Sequence, residues 1–131
     1  MCHILVVDDD RDTCASLSDI LSDLGYTVDT ATDGRSALEL SERNPYRLAL
    51  LDYMMPGMDG LELCRRLRTS RPTVEVALVT GWASATTTAA ASEAGVRRVF
   101  AKPVDFGVLI PLVEEVVGHD HRCEEPVQVN R

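Results

Sequence analysis

Two hydrophobic periods alternate along this chain. Continuously apolar runs stand at 4–7 and 48–51, and mainly apolar stretches, broken by Glu75 and by Arg97 and Arg98, at 74–79 and 96–101. Runs of that length without alternation predict strands covered on both faces. The stretch 27–31 alternates and is weaker, which predicts a strand nearer a sheet edge. Helical spacing fills the gaps. Leu17, Ile20, Leu21 and Leu24 recur at i, i+3, i+4 and i+7, after a cap at Asp12 or Thr13 and before a stop at Gly25. Asp33-Gly34 turns into a helix through Ala37, Leu38 and Leu40, ended by Asn44-Pro45. The turn-rich Pro56-Gly57-Met58-Asp59-Gly60 precedes a helix through Leu63, Cys64 and Leu67, capped by Asp59 and ended near Arg71-Pro72. Residues 84–94 predict a helix of small side chains, thinly packed and ended by Gly95. Asp105 caps a last helix through Leu109, Leu112, Val113, Val116 and Val117, stopped by Gly118. Pro111 removes a helical hydrogen bond, so this helix is expected to kink there or to become regular only from that point.

Five strand–helix units in series predict an α/β fold, a doubly wound five-stranded parallel sheet with five helices on its two faces. Residues 1–118 form the domain; 119–131 are polar and aperiodic and read as a tail or the start of a linker.

Four of the apolar runs end in polar residues: Asp8 and Asp9, Asp52, Thr80, and Lys102. Ligand sites of parallel sheets lie at the carboxyl ends of the strands. Three carboxylates, a hydroxyl and an ammonium would therefore meet on one edge. Taken singly, each aspartate would be a turn or helix cap, Thr80 a strand-end residue and Lys102 a solvated lysine. Only the joint arrangement reverses those readings, and it suits a divalent cation and a phosphoryl group. Asp10 and Asp59 remain structural.

A net charge of −8 argues against direct nucleic-acid binding, which rests on neutralising phosphates. No apolar run approaches the roughly 20 residues needed to span a bilayer. Met1-Cys2-His3-Ile4 offers no basic segment ahead of an apolar one, so a cytoplasmic location is expected. Cys2, Cys14, Cys64 and Cys123 form no CxxC pair; Cys14 and Cys64 fall on apolar helix faces as small core residues. His119, His121 and Cys123 read as part of a solvated tail rather than a metal site.

The chain resembles the receiver domain of two-component response regulators over residues 3–118. The resemblance is carried by Ile4-Leu5-Val6-Val7-Asp8-Asp9-Asp10, by residues 51–60 (LDYMMPGMDG), by Leu78-Val79-Thr80-Gly81 and by Phe100-Ala101-Lys102-Pro103-Val104-Asp105. It implies a flavodoxin-like sheet of order 2-1-3-4-5 and a cis Lys102-Pro103 peptide. It implies Asp52 as phosphoacceptor. Mg²⁺ would be bound directly by Asp9, Asp52 and the backbone carbonyl of Met54, and through water by Asp8. Thr80 would bond the phosphoryl group and Lys102 would pair with it. A sensor histidine kinase or a histidine phosphotransfer domain would donate the phosphoryl group. The switched surface would act on a downstream protein or a fused output domain. Receivers often form homodimers, although no self-complementary patch is evident here.

Three positions depart from the family pattern. Val99 stands where receivers often carry Tyr or Phe, and Phe100 points to the opposite face of its strand. Trp82, two residues beyond Thr80, could shield the phosphoryl group. Met54, two residues beyond Asp52, cannot position a hydrolytic water. Met54 and Trp82 together are expected to slow dephosphorylation. A haloacid-dehalogenase-type phosphatase would need a second aspartate at Met54. A nucleotide-binding module would need a glycine-rich loop where Asp8-Asp9-Asp10 would repel phosphates. The chain reads equally as a stand-alone regulator or as part of a hybrid kinase or longer regulator.

Overall fold

The computed structural model describes residues 3–81 and 85–118. The elements run β1 (His3–Val7), α1 (Arg11–Asp23), β2 (Thr27–Ala31), α2 (Gly34–Arg43), β3 (Tyr46–Asp52), α3 (Gly60–Ser70), β4 (Glu75–Thr80), α4 (Ala85–Ala94), β5 (Arg98–Ala101) and α5 (Phe106–Val117). Trp82 and residues 119–131, with His119, His121 and Cys123, lie outside the described residues, as does Cys2.

All strand pairs are parallel and the order is β2-β1-β3-β4-β5. The chain runs outward from β1 to β2, then returns across β1 to β3. That reversal puts the topological switch point between β1 and β3, where α/β sheets open a crevice. The continuous apolar runs exist because both sheet faces are covered. Ile4, Val6, Leu48, Leu50, Ala77, Val79 and Phe100 pack with α1 and α5. Leu5, Val7, Ala49, Leu51, Val76 and Leu78 pack with α2, α3 and α4. Leu48, Leu50 and Leu51 are fully buried, and truncating one of them to Ala costs about 2–5 kcal/mol.

Helix ends follow the turn chemistry, with one correction. The cap of α1 is Asp10, whose side chain accepts from the Asp12 N–H, rather than Asp12 or Thr13. Asp12 and Thr13, two and three positions later, already lie within the helix, where their side chains no longer reach the first free N–H groups. Asp33, Asp59 and Asp105 cap α2, α3 and α5. Gly25, Gly95 and Gly118 take positive φ angles of 99°, 95° and 98° at helix ends. Pro111 lies inside an unbroken α5, so the helix is regular well before it. Pro111 and Gly107 are both exposed, so water can replace the missing donor to the Gly107 carbonyl. Strand β5, Arg98–Ala101, is shorter than the predicted 96–101. The Val96 N–H still bonds back to the Ala91 carbonyl at 2.9 Å, which keeps Val96 in the turn after α4. The buried side chains of α4 are small, Thr87 and Ala91, as the Ala/Thr-rich sequence predicts. Cys14 and Cys64 are buried thiols.

Candidate functional site

Register assembles the site. Val7 pairs with Leu51, so Asp8 and Asp52 leave adjacent strands side by side. Asp52 pairs with Val79, and Thr80 pairs with Ala101, the residue before Lys102. The Lys102 N–H donates to the Thr80 carbonyl at 2.9 Å, and the Lys102-Pro103 peptide is cis. Asp8 and Asp52 are buried, Asp9 is exposed, and Thr80 is fully buried. Oxygens of Asp8, Asp9 and Asp52 lie within 4.8 Å of one another.

Each acidic side chain has a local reason for its placement. The Asp8 N–H donates to the Ala31 carbonyl of β2 at 3.1 Å, which holds the end of β1 in the sheet. The Asp8 carboxylate accepts from the Asp10 N–H at 2.9 Å and from the Lys102 ammonium at 2.9 Å. The same ammonium stands 3.3 Å from the Asp52 carboxylate. Lys102 thus bridges two of the three aspartates, and its nearer partner is Asp8, a contact the sequence did not announce.

The charges do not balance. Three carboxylates against one ammonium leave a net −2 (−3 + 1) in a largely buried pocket. Two like charges ~4 Å apart repel by about 4 kcal/mol at an effective dielectric near 20. Burial, then the Asp8 charge, push the Asp52 carboxyl above the usual carboxylate range, and Lys102 only partly opposes them. Burial pulls the Lys102 ammonium down, but the hydrogen bond and charge of Asp8, together with Asp52, outweigh it and raise it.

This donor set fits a hard divalent cation. Mg²⁺ takes six oxygens at about 2.0–2.1 Å, so ligands on opposite sides stand about 4.2 Å apart. The carboxylate oxygens, within 4.8 Å of one another, already stand on that scale. Met54 is 60% exposed and belongs to the loop that follows Asp52. Val99 is half-buried on the α4 side of β5, and Phe100 is buried on the α5 side, beneath the Arg98 guanidinium. The two adjacent residues do face opposite ways, as their spacing predicts.

Two neighbours carry little or no signal in the sequence. Gly60 opens α3 against the end of β3: its N–H donates to the Tyr53 carbonyl at 2.8 Å, and a Cβ there would stand 2.5 Å from the Asp52 carbonyl oxygen. The Cys14 thiol lies 3.3 Å from the Asp8 carbonyl and 3.5 Å from that of Ala31. Burial, then Asp8, raise its pKa, so it is a neutral clamp rather than a nucleophile. A glycine after a capping aspartate is the only available signal for the first; nothing marks the second.

Fold and edge together define a flavodoxin-like α/β module with an acidic, lysine-bridged pocket at its switch point. The family model described as response regulator receiver domain matches residues 4–114, and the chain belongs to that family. It is 36% identical over 124 residues to the transcriptional regulatory protein ZraR of Klebsiella oxytoca, covering 95% of this chain and 28% of that protein. It is 42% identical over 124 residues to the response regulator MprA of Mycobacterium sp. (strain KMS), covering 95% and 54%. The chain therefore spans between about a quarter and about half of these relatives' lengths. The CheY-like receiver domain protein of Methanospirillum hungatei superposes with a TM-score of 0.84 at 31% identity, covering 95% of this chain and 99% of that one. A Burkholderia pseudomallei response regulator, solved with a phosphorylated aspartic acid, a calcium ion and citrate, superposes with a TM-score of 0.80 at 25% identity, covering 97% and 76%. Among the described residues, no helix is long and apolar enough to cross a membrane.

Proposed function

We propose that residues 1–118 form a Mg²⁺-dependent phosphoacceptor switch, phosphorylated on Asp52 in a two-component phosphorelay. The observation that carries this reading is the pocket in which Asp8, Asp9 and Asp52 converge with Lys102 between Asp8 and Asp52. Asp9, Asp52 and the Met54 carbonyl would hold Mg²⁺ directly, and Asp8 through water. Bound there, the cation supplies positive charge to the phosphoryl oxygens and to the crowded carboxylates. The calcium ion and phosphorylated aspartate of the Burkholderia protein support the same arrangement.

The donor is a phosphohistidine of a sensor kinase or phosphotransfer domain. The P–N bond breaks, a P–O bond forms to an Asp52 oxygen, and the departing imidazole keeps the electron pair. Asp52 is a weak nucleophile, so position and charge neutralisation supply the acceleration. Thr80, buried at the end of β4, would donate to a phosphoryl oxygen. Lys102 would exchange its bond to Asp52 for one to the phosphoryl group while keeping Asp8. That exchange would convert a local charge change into a bias of the face built from α4, β5 and α5, the link to a protein target or fused output domain. The domain would work in the cytoplasm, and a homodimer is compatible with it. The exposed Met54, with Trp82, would slow hydrolysis of the aspartyl phosphate.

The test is intact mass after incubation with acetyl phosphate and Mg²⁺, for wild type and Asp52→Asn. An addition of about 80 Da, one phosphoryl group replacing a proton on one nucleophile, is expected in wild type alone. The same addition in both proteins, or in neither, would overturn the assignment.

A further inference from the structure

The loop joining Asp52 to α3 is held at two points. At its base, the Gly60 N–H donates to the Tyr53 carbonyl at 2.8 Å, and the Gly60 Cα packs against the Asp52 main chain. At its apex, residues 56–58 form a tight turn, closed by the Met58 N–H to the Pro56 carbonyl at 3.1 Å with Gly57 at φ 85°. That turn aims the Met58 side chain at Gly34, the first residue of α2. A Cβ on Gly34 would stand 2.8 Å from Met58 Sδ and 3.3 Å from both Met58 Cβ and Cε. Gly34 has no positive φ, so space rather than backbone conformation requires glycine there. Its own position is fixed because Asp33 caps α2, accepting from the Ser36 N–H at 2.7 Å. Met55, between the two anchors, is buried; Met54, beside it, is exposed.

We infer that Gly34, on a helix that contributes nothing to the acidic pocket, is a positioning residue for the cation site: it forms the notch that seats Met58 and thereby fixes the main chain at Met54. This rests on the proposed function, in which the Met54 carbonyl is a cation ligand. The chain leaves Asp52 and must deliver one neutral oxygen to the same ion. A segment free at its apex would deliver that oxygen to a spread of positions. Octahedral Mg²⁺ tolerates little such spread, and residues that orient metal ligands from behind typically matter by about 10–100-fold in affinity.

The geometry predicts a particular non-additivity. Gly34→Ala places a methyl group 2.8 Å from Met58 Sδ and 3.3 Å from Met58 Cβ; the thioether can swing aside, but the Cβ moves only with the main chain, so the loop shifts. Met58→Ala removes the obstacle together with the anchor. In Gly34→Ala/Met58→Ala the clashes with Sδ and Cε are gone, and only the Cβ at position 58 remains, 3.3 Å away, where a few tenths of an ångström of give suffices. Neighbours that share one contact do not add.

The experiment is calorimetric titration of the full 131-residue chain with MgCl₂ alone, for wild type and the three variants, with a thermal melt in chelator as the folding check. Gly34→Ala should bind Mg²⁺ about 10-fold more weakly than wild type. Met58→Ala should lose less, and the double variant should match Met58→Ala rather than fall below Gly34→Ala. A folded Gly34→Ala that binds as wild type overturns the inference. So do losses that simply add in the double variant. If Gly34→Ala does not fold, the double variant and Met58→Ala decide: equal, modestly weakened binding supports the notch, and wild-type binding in both overturns it. Wild type that takes no Mg²⁺ would instead refute the cation site itself.

Discussion

The two ends of the sheet both carry clustered charges, and they are built on opposite principles. At the amino-terminal end, Arg97 pairs with Glu75 at 3.7 Å and with Glu115 at 2.5 Å, and the Arg47 guanidinium donates to the Val116 carbonyl at 3.1 Å. Those side chains are substantially exposed, and water screens what they do not neutralise. At the carboxyl end, Asp8 and Asp52 are buried beside Asp9 with Lys102 as their ammonium. The first cluster is what a stable fold accumulates at its surface. The second works against folding, because buried like charges repel where water cannot screen them. A sequence that keeps such an arrangement keeps it for chemistry. The contrast teaches that charge clusters mark function by being uncompensated, not by being dense.

Substitutions at either end put this contrast at risk. Lys102→Ala should do the greatest damage, because it leaves three neighbouring carboxylates without their ammonium. A loss of about 1–3 kcal/mol in denaturant unfolding is expected in chelator at neutral pH, and millimolar Mg²⁺ should recover part of it. A loss that Mg²⁺ leaves untouched would place the role of Lys102 in packing instead.

Asp52→Asn should move the other way. The folded chain holds the Asp52 proton more tightly than the unfolded chain does, since its carboxyl is raised by burial and by Asp8. Folding stability therefore falls as pH rises from the ordinary carboxylate range through that raised value, and stays lower above it. Asn at 52 removes this dependence. The variant should melt about 2–6 °C above wild type at neutral pH in chelator, with the difference vanishing at acid pH. Equal melting at neutral pH would mean that the pocket carries no electrostatic strain.

Met54 is an exposed apolar residue at the carboxyl end of the sheet, where the proposed phosphoryl group would sit. Met54→Asn offers an amide that can order a water near the phosphoryl group. Loss of phosphate from Asp52, followed by intact mass, should be several-fold faster in that variant than in wild type. A slower loss would refute the protective role. The smallest effect belongs to the other end. Arg97→Ala should change stability by no more than about 1 kcal/mol and leave the phosphorylation rate unaltered; a change in that rate would show the two ends to be coupled.

Much of the fold and of the site is legible in the amino-acid sequence. The apolar runs announce strands because both sheet faces are covered, and the polar residue ending each run announces the site because parallel strands share a carboxyl edge. Asp59 and Asp105 are readable as caps from their place before helical periodicity. Other features are not legible. Asp10 rather than Asp12 caps α1, because which carboxylate lies one step outside the helix depends on a backbone torsion that several neighbouring aspartates could serve. Val96 belongs to the turn after α4 although it reads as strand, because after the positive-φ Gly95 the Val96 N–H donates back to the Ala91 carbonyl. The nearer bond of Lys102 to Asp8, the Cys14 thiol on two carbonyls and the seat of Met58 on Gly34 are contacts between distant residues. A glycine in a sequence says nothing of what its missing side chain would have met.

The most direct test of the uncompensated pocket is the melting temperature of wild type and Asp9→Asn in chelator and in Mg²⁺ at about ten times its dissociation constant. Binding to the folded state alone should add about 1.4 kcal/mol, raising wild type by roughly 3–5 °C and Asp9→Asn by much less. No shift in wild type, or the same shift in both, would contradict the account.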